Sequence, residues 1–283
     1  MITTGDEEHI LSKAYVPEHI VSLMVIISKG EPYLVRDYLC YAKDNWAIIV
    51  GYPLEGVFSP EVFILTVREV VSRFKPEYLW MIAPEIPEYF LKSVRKVEYD
   101  EYYKVELDGF TIKSRLMREV NRALKDLTVE RANNITKEHR RLIDEFLRRE
   151  KPNDLVRELY LSMPEYVSRS NTALVLNASD ARGRLSAFYV LENAARRFVT
   201  YLVGCHSKKH YTPHASDLLF FEMVKVAQEY KKQFINLGLG VNGGIKRFKE
   251  KWGGVPFLRY AFCEYDTGYT RPVTLIKLLE SKL

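Results

Sequence analysis

The sequence predicts an α/β protein with an α+β mixed sheet, built in two parts. Three observations carry this prediction. Short apolar runs closed by Gly, Pro, Asn or Asp recur along the chain. Amphipathic stretches of helical period alternate with them. The second part shows a continuous order of such elements, which fits a layered α/β structure. The chain has 283 residues, enough for one large domain or two of ordinary size. It is 47% hydrophobic and 13% aromatic, which supplies substantial cores.

In the first part, His19 to Ile27 reads as a strand and Pro32 to Lys43 as a helix. Trp46 to Val50 is a buried strand closed by Gly51 and Pro53. Ser59 and Pro60 read as N-cap and first turn of a helix reaching Phe74, which Pro76 ends. Tyr78 to Ala83 is a strand. Tyr99 to Leu107 alternates as a half-exposed strand, and Asp108-Gly109 is a turn. Residues 113–126 form a basic helix with Lys113, Arg115, Arg118, Arg122 and Lys125. It links the two parts, and a solvated face is favoured over a ligand-binding one.

In the second part, Leu127 to Arg131 is a strand. Thr136 caps a helix to about Arg149, and Pro152 opens another to about Val167. Thr172 to Asn177 is a strand, and Gly183 allows a tight turn into Leu185 to Leu191. Asn193 and Ala194 turn into Phe198 to Cys205. A polar loop, His206 to His214, precedes a long amphipathic helix, Ala215 to Tyr230. Strand Phe234 to Leu239, helix Gly244 to Trp252 and strand Phe257 to Glu264 follow.

Several classes are excluded. The longest apolar run near the N-terminus, Val21 to Ile27, is far short of the ~20 residues of a membrane span. The first twenty residues are acidic and polar and do not read as a signal peptide. Cys40, Cys205 and Cys263 form no CxxC pair, so neither a disulfide framework nor a zinc site is expected. A cytoplasmic location fits best. Ser281-Lys282-Leu283 matches a peroxisomal address but also finishes an amphipathic helix, and chance is favoured. Net charge is +5, and the stretch from His206 to Lys251 alone holds nine Lys or Arg against four Asp or Glu. Such a local positive field favours an anionic ligand: a phosphorylated cofactor, a nucleotide or an RNA.

Residues 233–254 are the most informative stretch. A short apolar strand enters a glycine-rich bend, which opens a basic helix ending at Gly253-Gly254. Such a bend leaves N–H groups free at a helix N-terminus, where they can meet an anion or a polarised carbonyl. Lys246, Arg247, Lys249 and Lys251 lie on one side of the helix, and Ile245, Phe248 and Trp252 recur on the other.

The order β-α-α-β-β-β-α-β-α-β over residues 127–265 resembles the GNAT N-acyltransferase fold. The segment Gly244-Ile245-Lys246-Arg247-Phe248-Lys249-Glu250-Lys251-Trp252-Gly253 is similar to the Gly-x-x-x-Phe-Lys-x-x-Trp-Gly of the FemAB-like branch. The helix with Arg118 and Arg122, leading to Val129-Glu130, resembles the junction between the two halves of those proteins. The resemblance implies two GNAT-like halves: an eroded one over 1–126, with the basic linker helix 113–126, and a complete one over 127–283. It also implies a cleft between splayed strands, here Phe198–Cys205 and Phe234–Leu239, with donor phosphates on the loop before the long helix. The usual Gln/Arg-x-x-Gly-x-Gly/Ala pattern is missing from that loop, which puts acetyl-CoA use in doubt. FemAB-like relatives also lack it, and several take aminoacyl-tRNA.

Acyl transfer to an amine needs a polarised carbonyl, an unprotonated amine and a proton for the leaving group. The catalytic candidates are Asn236, Tyr201, Glu192 and His206. The candidates for binding the co-substrate are Lys208, Lys209, His210, His214, Ser216, Gly238, Gly243, Lys246 and Lys249. No metal is expected. His206, His210 and His214 are spaced for a helix face, but Pro213 argues against a helix, and no carboxylate stands between them in an HExxH order. No tightly bound cofactor is expected either. The leading expectation is N-acyl transfer from acyl-CoA or aminoacyl-tRNA to an amine by direct attack. An RNA- or tRNA-binding module and a non-catalytic GNAT-fold interaction protein stay open as alternatives.

Overall fold

The computed structural model describes residues 2–268. The Ser281-Lys282-Leu283 ending lies outside them. The elements run α1 (Thr4–Lys13), a 3-10 turn (Pro17–His19), α2 (Val21–Ser28), β1 (Glu31–Val35), β2 (Tyr38–Lys43), β3 (Trp46–Val50), α3 (Pro60–Phe74), β4 (Tyr78–Ala83), α4 (Glu88–Leu91) and β5 (Val94–Glu106). Then come α5 (Ser114–Ala123), β6 (Leu127–Ala132), α6 (Lys137–Glu150), α7 (Asp154–Arg169), β7 (Ala173–Asp180), β8 (Leu185–Glu192) and β9 (Phe198–His206). The last are α8 (Ala215–Glu229), β10 (Phe234–Leu239), α9 (Gly243–Lys251) and β11 (Val255–Asp266).

The chain forms two compact units. Among the described residues, one holds 29–99 and 260–268; the other holds 3–28 and 100–259. Strands β5 and β11 each begin in one unit and end in the other. Residues 3–28 and 100–126 therefore count in the same unit as 127–259.

In the smaller unit, β1, β2, β3 and β4 pair in sequence, and the Ala261–Asp266 part of β11 pairs with β4. Only β3 and β4 are parallel, as α3 crosses over between them. Ser59 caps α3, its hydroxyl accepting from the Val62 N–H at 3.3 Å. Phe63, Val67 and Val70 bury the inner face of the helix.

Two expectations fail here and in the adjoining N-terminal segment. Residues 32–43 are a hairpin, not a helix. Val35 pairs with Tyr38 across a two-residue turn in which Arg36 takes φ 53°. Apolar residues fall on both sides of this run, so it carries no helical period, and its Tyr and Val content favours strand. Residues 21–28 are helix α2, not a strand. Val-Ser-Leu-Met-Val-Ile-Ile is apolar all round, and periodicity alone does not separate a buried helix from a buried strand. Helix α1 was not anticipated. Thr3 and Asp6 form a reciprocal capping box at its start, a readable signal in an otherwise polar segment.

In the larger unit the strands lie in the order β5-β10-β9-β8-β7-β6. Only β9 and β10 run parallel there; β10 is antiparallel to β5, and the β9 to β6 neighbours are antiparallel. Alternate residues feed two cores. Ile235, Leu237, Tyr189 and Val199 pack with α5, α8 and Trp252. Phe234, Phe188, Val190 and Phe198 pack with α2, α6 and α7 on the other face.

Candidate functional site

The parallel pair at the centre of the larger unit parts early. β9 and β10 are in register at Phe198–Phe234, Val199–Ile235 and Thr200–Asn236. β9 then continues to His206 and β10 to Leu239. Beyond Thr200 and Asn236, backbone groups on the facing edges are left to meet something other than each other. Asn236 sits at the point of parting and is fully buried. Its amide donates to the Tyr15 carbonyl at 3.2 Å, and its Oδ1 accepts from the Gly238 N–H at 2.9 Å. Both ends are thus spent on holding the parting. Gly238, at φ +69°, makes the turn that β10 needs there.

The glycine-rich bend is closed from within. The Asp100 carboxylate accepts from the Val241 N–H at 2.7 Å and from the Glu101 N–H at 2.8 Å. Lys246 stands 3.5 Å from it. Asn242 caps α9, its Oδ1 accepting from the Gly244 and Ile245 N–H groups at 2.9 and 3.0 Å. The N–H groups expected to cradle a ligand anion are therefore taken by Asp100 and Asn242. Gly243 is the first residue of α9.

Lys249 faces inward and is only 6% exposed. Its ammonium donates to the Leu239 carbonyl and lies 5.6 Å from the centre of the Tyr103 ring. Burial brings its pKa down to about 7, against the pull of Asp100 and with the help of Lys246. A lysine at that value can take or give a proton near neutrality. The phosphate contact expected of Lys249 does not fit this burial.

Carboxylates gather at the first turn of α8. His214, at φ 65°, is its N-cap. The Asp217 carboxylate accepts from the Lys251 ammonium at 2.7 Å and from the Trp252 indole N–H at 2.9 Å. Glu119 on α5 stands 2.6 Å from the same ammonium. His214 Nδ1 lies 3.3 Å from Asp217 and 3.9 Å from Glu119. The Lys251 bond holds the Glu119 carboxyl below its ordinary range. Glu119, His214 and Asp217 are the metal-compatible group among the described residues. The Lys251 ammonium already occupies the cation position between the two carboxylates.

The remaining candidates do not converge. Lys208 and Lys209 are exposed, and the Lys208 N–H turns to Glu145 of α6 at 3.0 Å. The His210 N–H bonds Ser207 Oγ at 3.0 Å. The Ser216 carbonyl accepts from the Tyr189 hydroxyl at 3.1 Å. His206 is exposed and meets Tyr211 edge-on. Tyr201 packs edge-to-face on Tyr189 at 4.9 Å, and burial raises its pKa well above 10. Glu192, expected as a base for the amine, is fully buried. It accepts from the Asn193 and Ala194 N–H groups at 2.8 and 2.6 Å and from the Tyr166 hydroxyl, so it clamps the β8–β9 turn onto α7. Cys205 is buried and its thiol is pushed up to about 12, which leaves no thiolate for a covalent route.

Three residues that sequence reasoning passed over, Asp100, Glu119 and Asp217, organise the site together with Lys251, which was read only as part of the basic face of its helix. Glu119 carried a signal, being the single acid within the basic helix 113–125. Asp217, an acid in the first turn of a helix, carried another.

No family model matches the chain, and no curated protein matches it. Solved structures do. L-PGS from Bacillus licheniformis aligns at 16% identity and TM-score 0.57, covering 99% of this chain and 96% of the other. FemX aligns at 12% identity and TM-score 0.60, covering 99% of both chains. A tandem GNAT protein from the clavulanic acid biosynthesis pathway aligns at 10% identity and TM-score 0.51, covering 89% of this chain and 94% of the other. The fold is thus the mixed α/β fold of tandem GNAT proteins and FemX, as the sequence resemblance implied.

Proposed function

We propose that this protein is an N-acyltransferase. It moves an acyl or aminoacyl group from an activated, phosphate-bearing donor to an amine by direct attack in a ternary complex. The parting of β9 from β10 beyond Thr200 and Asn236 carries the reading. It leaves strand-edge N–H groups where a donor carbonyl can be polarised. The fold shared with FemX and tandem GNAT proteins supports it at the level of class. Lys249 is the proposed proton-transfer group, because its burial keeps it near half-protonated at neutral pH. With Cys205 held as a thiol, no acyl-enzyme is invoked.

The proposal includes the division into an eroded half over 1–126 and a complete half over 127–283. Acyl-CoA and aminoacyl-tRNA are the two donor classes considered, and an amine is the acceptor. A CoA pyrophosphate would meet like charge at the first turn of α8, where Asp217 and, from α5, Glu119 stand. The same pair of carboxylates is the observation that favours the non-catalytic alternative.

The test is label transfer. The purified protein is incubated with radiolabelled acyl-CoAs, or with tRNA charged with labelled amino acids, and a panel of amines. The reading predicts a labelled amide with at least one donor. A donor that binds but yields no amide would favour the non-catalytic alternative.

A further inference from the structure

At both places where this fold offers backbone N–H groups to a small anion, the protein's own carboxylates stand close by. Asp100 fills the bend after β10. Asp217 and, from α5, Glu119 stand at the first turn of α8, held by Lys251 and the Trp252 indole. A ligand phosphate at either place meets like charge. Displacing the carboxylates would also leave the partly buried Lys251 ammonium without its partners.

The outer face of α5 offers what these sites do not. Arg115, Arg118, Arg122 and Lys125 recur at spacings of three, four and three residues along α5 and the turn after it. They fall on one side of the helix. The opposite side buries Leu116, Glu119, Val120 and Ala123. All four cations are exposed. Among the described residues, Arg118, Arg122 and Lys125 have no acidic partner, and Arg115 has only a 3.5 Å contact to Glu119. At ~1.5 Å per residue the row is about 15 Å long. One strand of a nucleic-acid duplex carries a phosphate about every 3.4 Å of axis, so the row spans about four. Glu119 also ties α5 through Lys251 to Asp217 in the first turn of α8.

We propose that the outer face of α5, through Arg115, Arg118, Arg122 and Lys125, is an RNA-backbone site that carries the polynucleotide part of an aminoacyl-RNA donor. This rests on the acyl-transfer reading above for the choice of RNA. A row of phosphodiesters, not a single pyrophosphate, suits four spaced cations on a convex helix. An acyl ester on a polymer of phosphodiesters is an aminoacyl-RNA.

The test is fluorescence anisotropy of a labelled RNA hairpin with a single-stranded 3′ end, titrated at several salt concentrations. Three proteins are compared: wild type, the α5 variant Arg118→Glu/Arg122→Glu/Lys125→Glu, and an α6 variant of equal charge change, Lys137→Glu/Arg140→Glu/Arg141→Glu. These positions are exposed, and matching thermal melts show that each variant is folded. The α5 variant is expected to lose at least tenfold in affinity at moderate salt. Its log-affinity against log-salt slope should fall by about two to three. The α6 variant should keep both values. Equal losses in the two variants, an unchanged slope in the α5 variant, or no RNA binding by wild type would overturn the proposal. Equal affinity for a DNA hairpin of the same sequence would overturn the choice of RNA. The assay reads no acyl chemistry, so its failure leaves the acyl-transfer reading to the label-transfer experiment. Label transfer from acyl-CoA at the wild-type rate by the α5 variant would sink this inference alone.

Discussion

The Asp100 carboxylate accepts the Val241 N–H at 2.7 Å, and so a side chain from β5 fills the bend that follows β10. A glycine-rich strand-to-helix bend read from sequence as open to a ligand anion is therefore neutralised by the chain itself. Asp100→Ala should cost about 1–2 kcal/mol, since the N–H it leaves is near solvent and can be hydrated. It should also create a small-anion site. Sulfate is expected to raise the melting temperature of Asp100→Ala more than that of wild type in a salt-matched thermal shift series. Equal responses would show that Asp100 is not what keeps the bend closed.

Lys251 bridges Glu119 and Asp217 at 2.6 and 2.7 Å. Removing it leaves two buried carboxylates side by side. Lys251→Met should destabilise the protein by roughly 2–4 kcal/mol at pH 7, short of the deepest pairs because the ammonium is partly exposed. The sign with pH follows from the lowered Glu119 pKa. Its stabilising contribution is present above the unfolded carboxylate value and is lost as pH falls through the folded one. The gap between wild type and Lys251→Met should therefore narrow toward pH 4 in urea melts. A gap independent of pH would refute the ion-pair account.

Much of the fold was legible in the chain. Ser59-Pro60, Thr136 and Gly183 marked real boundaries, because capping and turn chemistry is local. The β-α-α-β-β-β-α-β-α-β order was readable for the same reason. Pro32 to Lys43, read as a helix, and His19 to Ile27, read as a strand, misled because neither run has a clear period of its own, and tertiary packing decides between helix and strand. The site was less legible. Asn236 and Glu192, expected as catalytic groups, are polar residues in apolar strands, and both spend hydrogen bonds on the fold. The partners that matter, Asp100 to Val241 and Glu119 to Lys251, are 141 and 132 positions apart, and nothing local pairs them.

Lys249 titrates about 7 in the fold and ~10.4 when unfolded. Between those values the unfolded chain holds a proton that the native state lacks, so stability rises with pH across this window. Asp100 and Lys246 act on the same ammonium in opposite senses. Lys249→Met removes the group, so its stability should exceed that of wild type by on the order of 2–4 kcal/mol at pH 6. The difference should shrink toward pH 10. Denaturant midpoints of the two proteins, measured side by side across this range, give the difference directly. A constant difference would place the Lys249 pKa near its ordinary value.

Gly204 lies where β9 runs beyond its pairing with β10. A Cβ there would run into the Tyr201 hydroxyl and come within 2.7 Å of Tyr189 Cδ1. Gly204→Ala should cost about 1–3 kcal/mol by overpacking. It should also change the near-ultraviolet circular dichroism, as the Tyr189–Tyr201 pair is pushed apart. An unchanged spectrum with unchanged stability would mean that this tyrosine pair is not packed against the strand.

The central claim is acyl transfer at the parted strands, with Lys249 moving the proton. The measurement that tests it most directly is the single-turnover rate of label transfer to an amine by wild type, Lys249→Met and Lys249→Arg, each with its donor affinity recorded. The account predicts transfer by wild type and a loss of about 10²–10⁴-fold in both variants, with donor binding retained. Transfer by Lys249→Met at the wild-type rate, or a bound donor that wild type never passes to any amine, would contradict it.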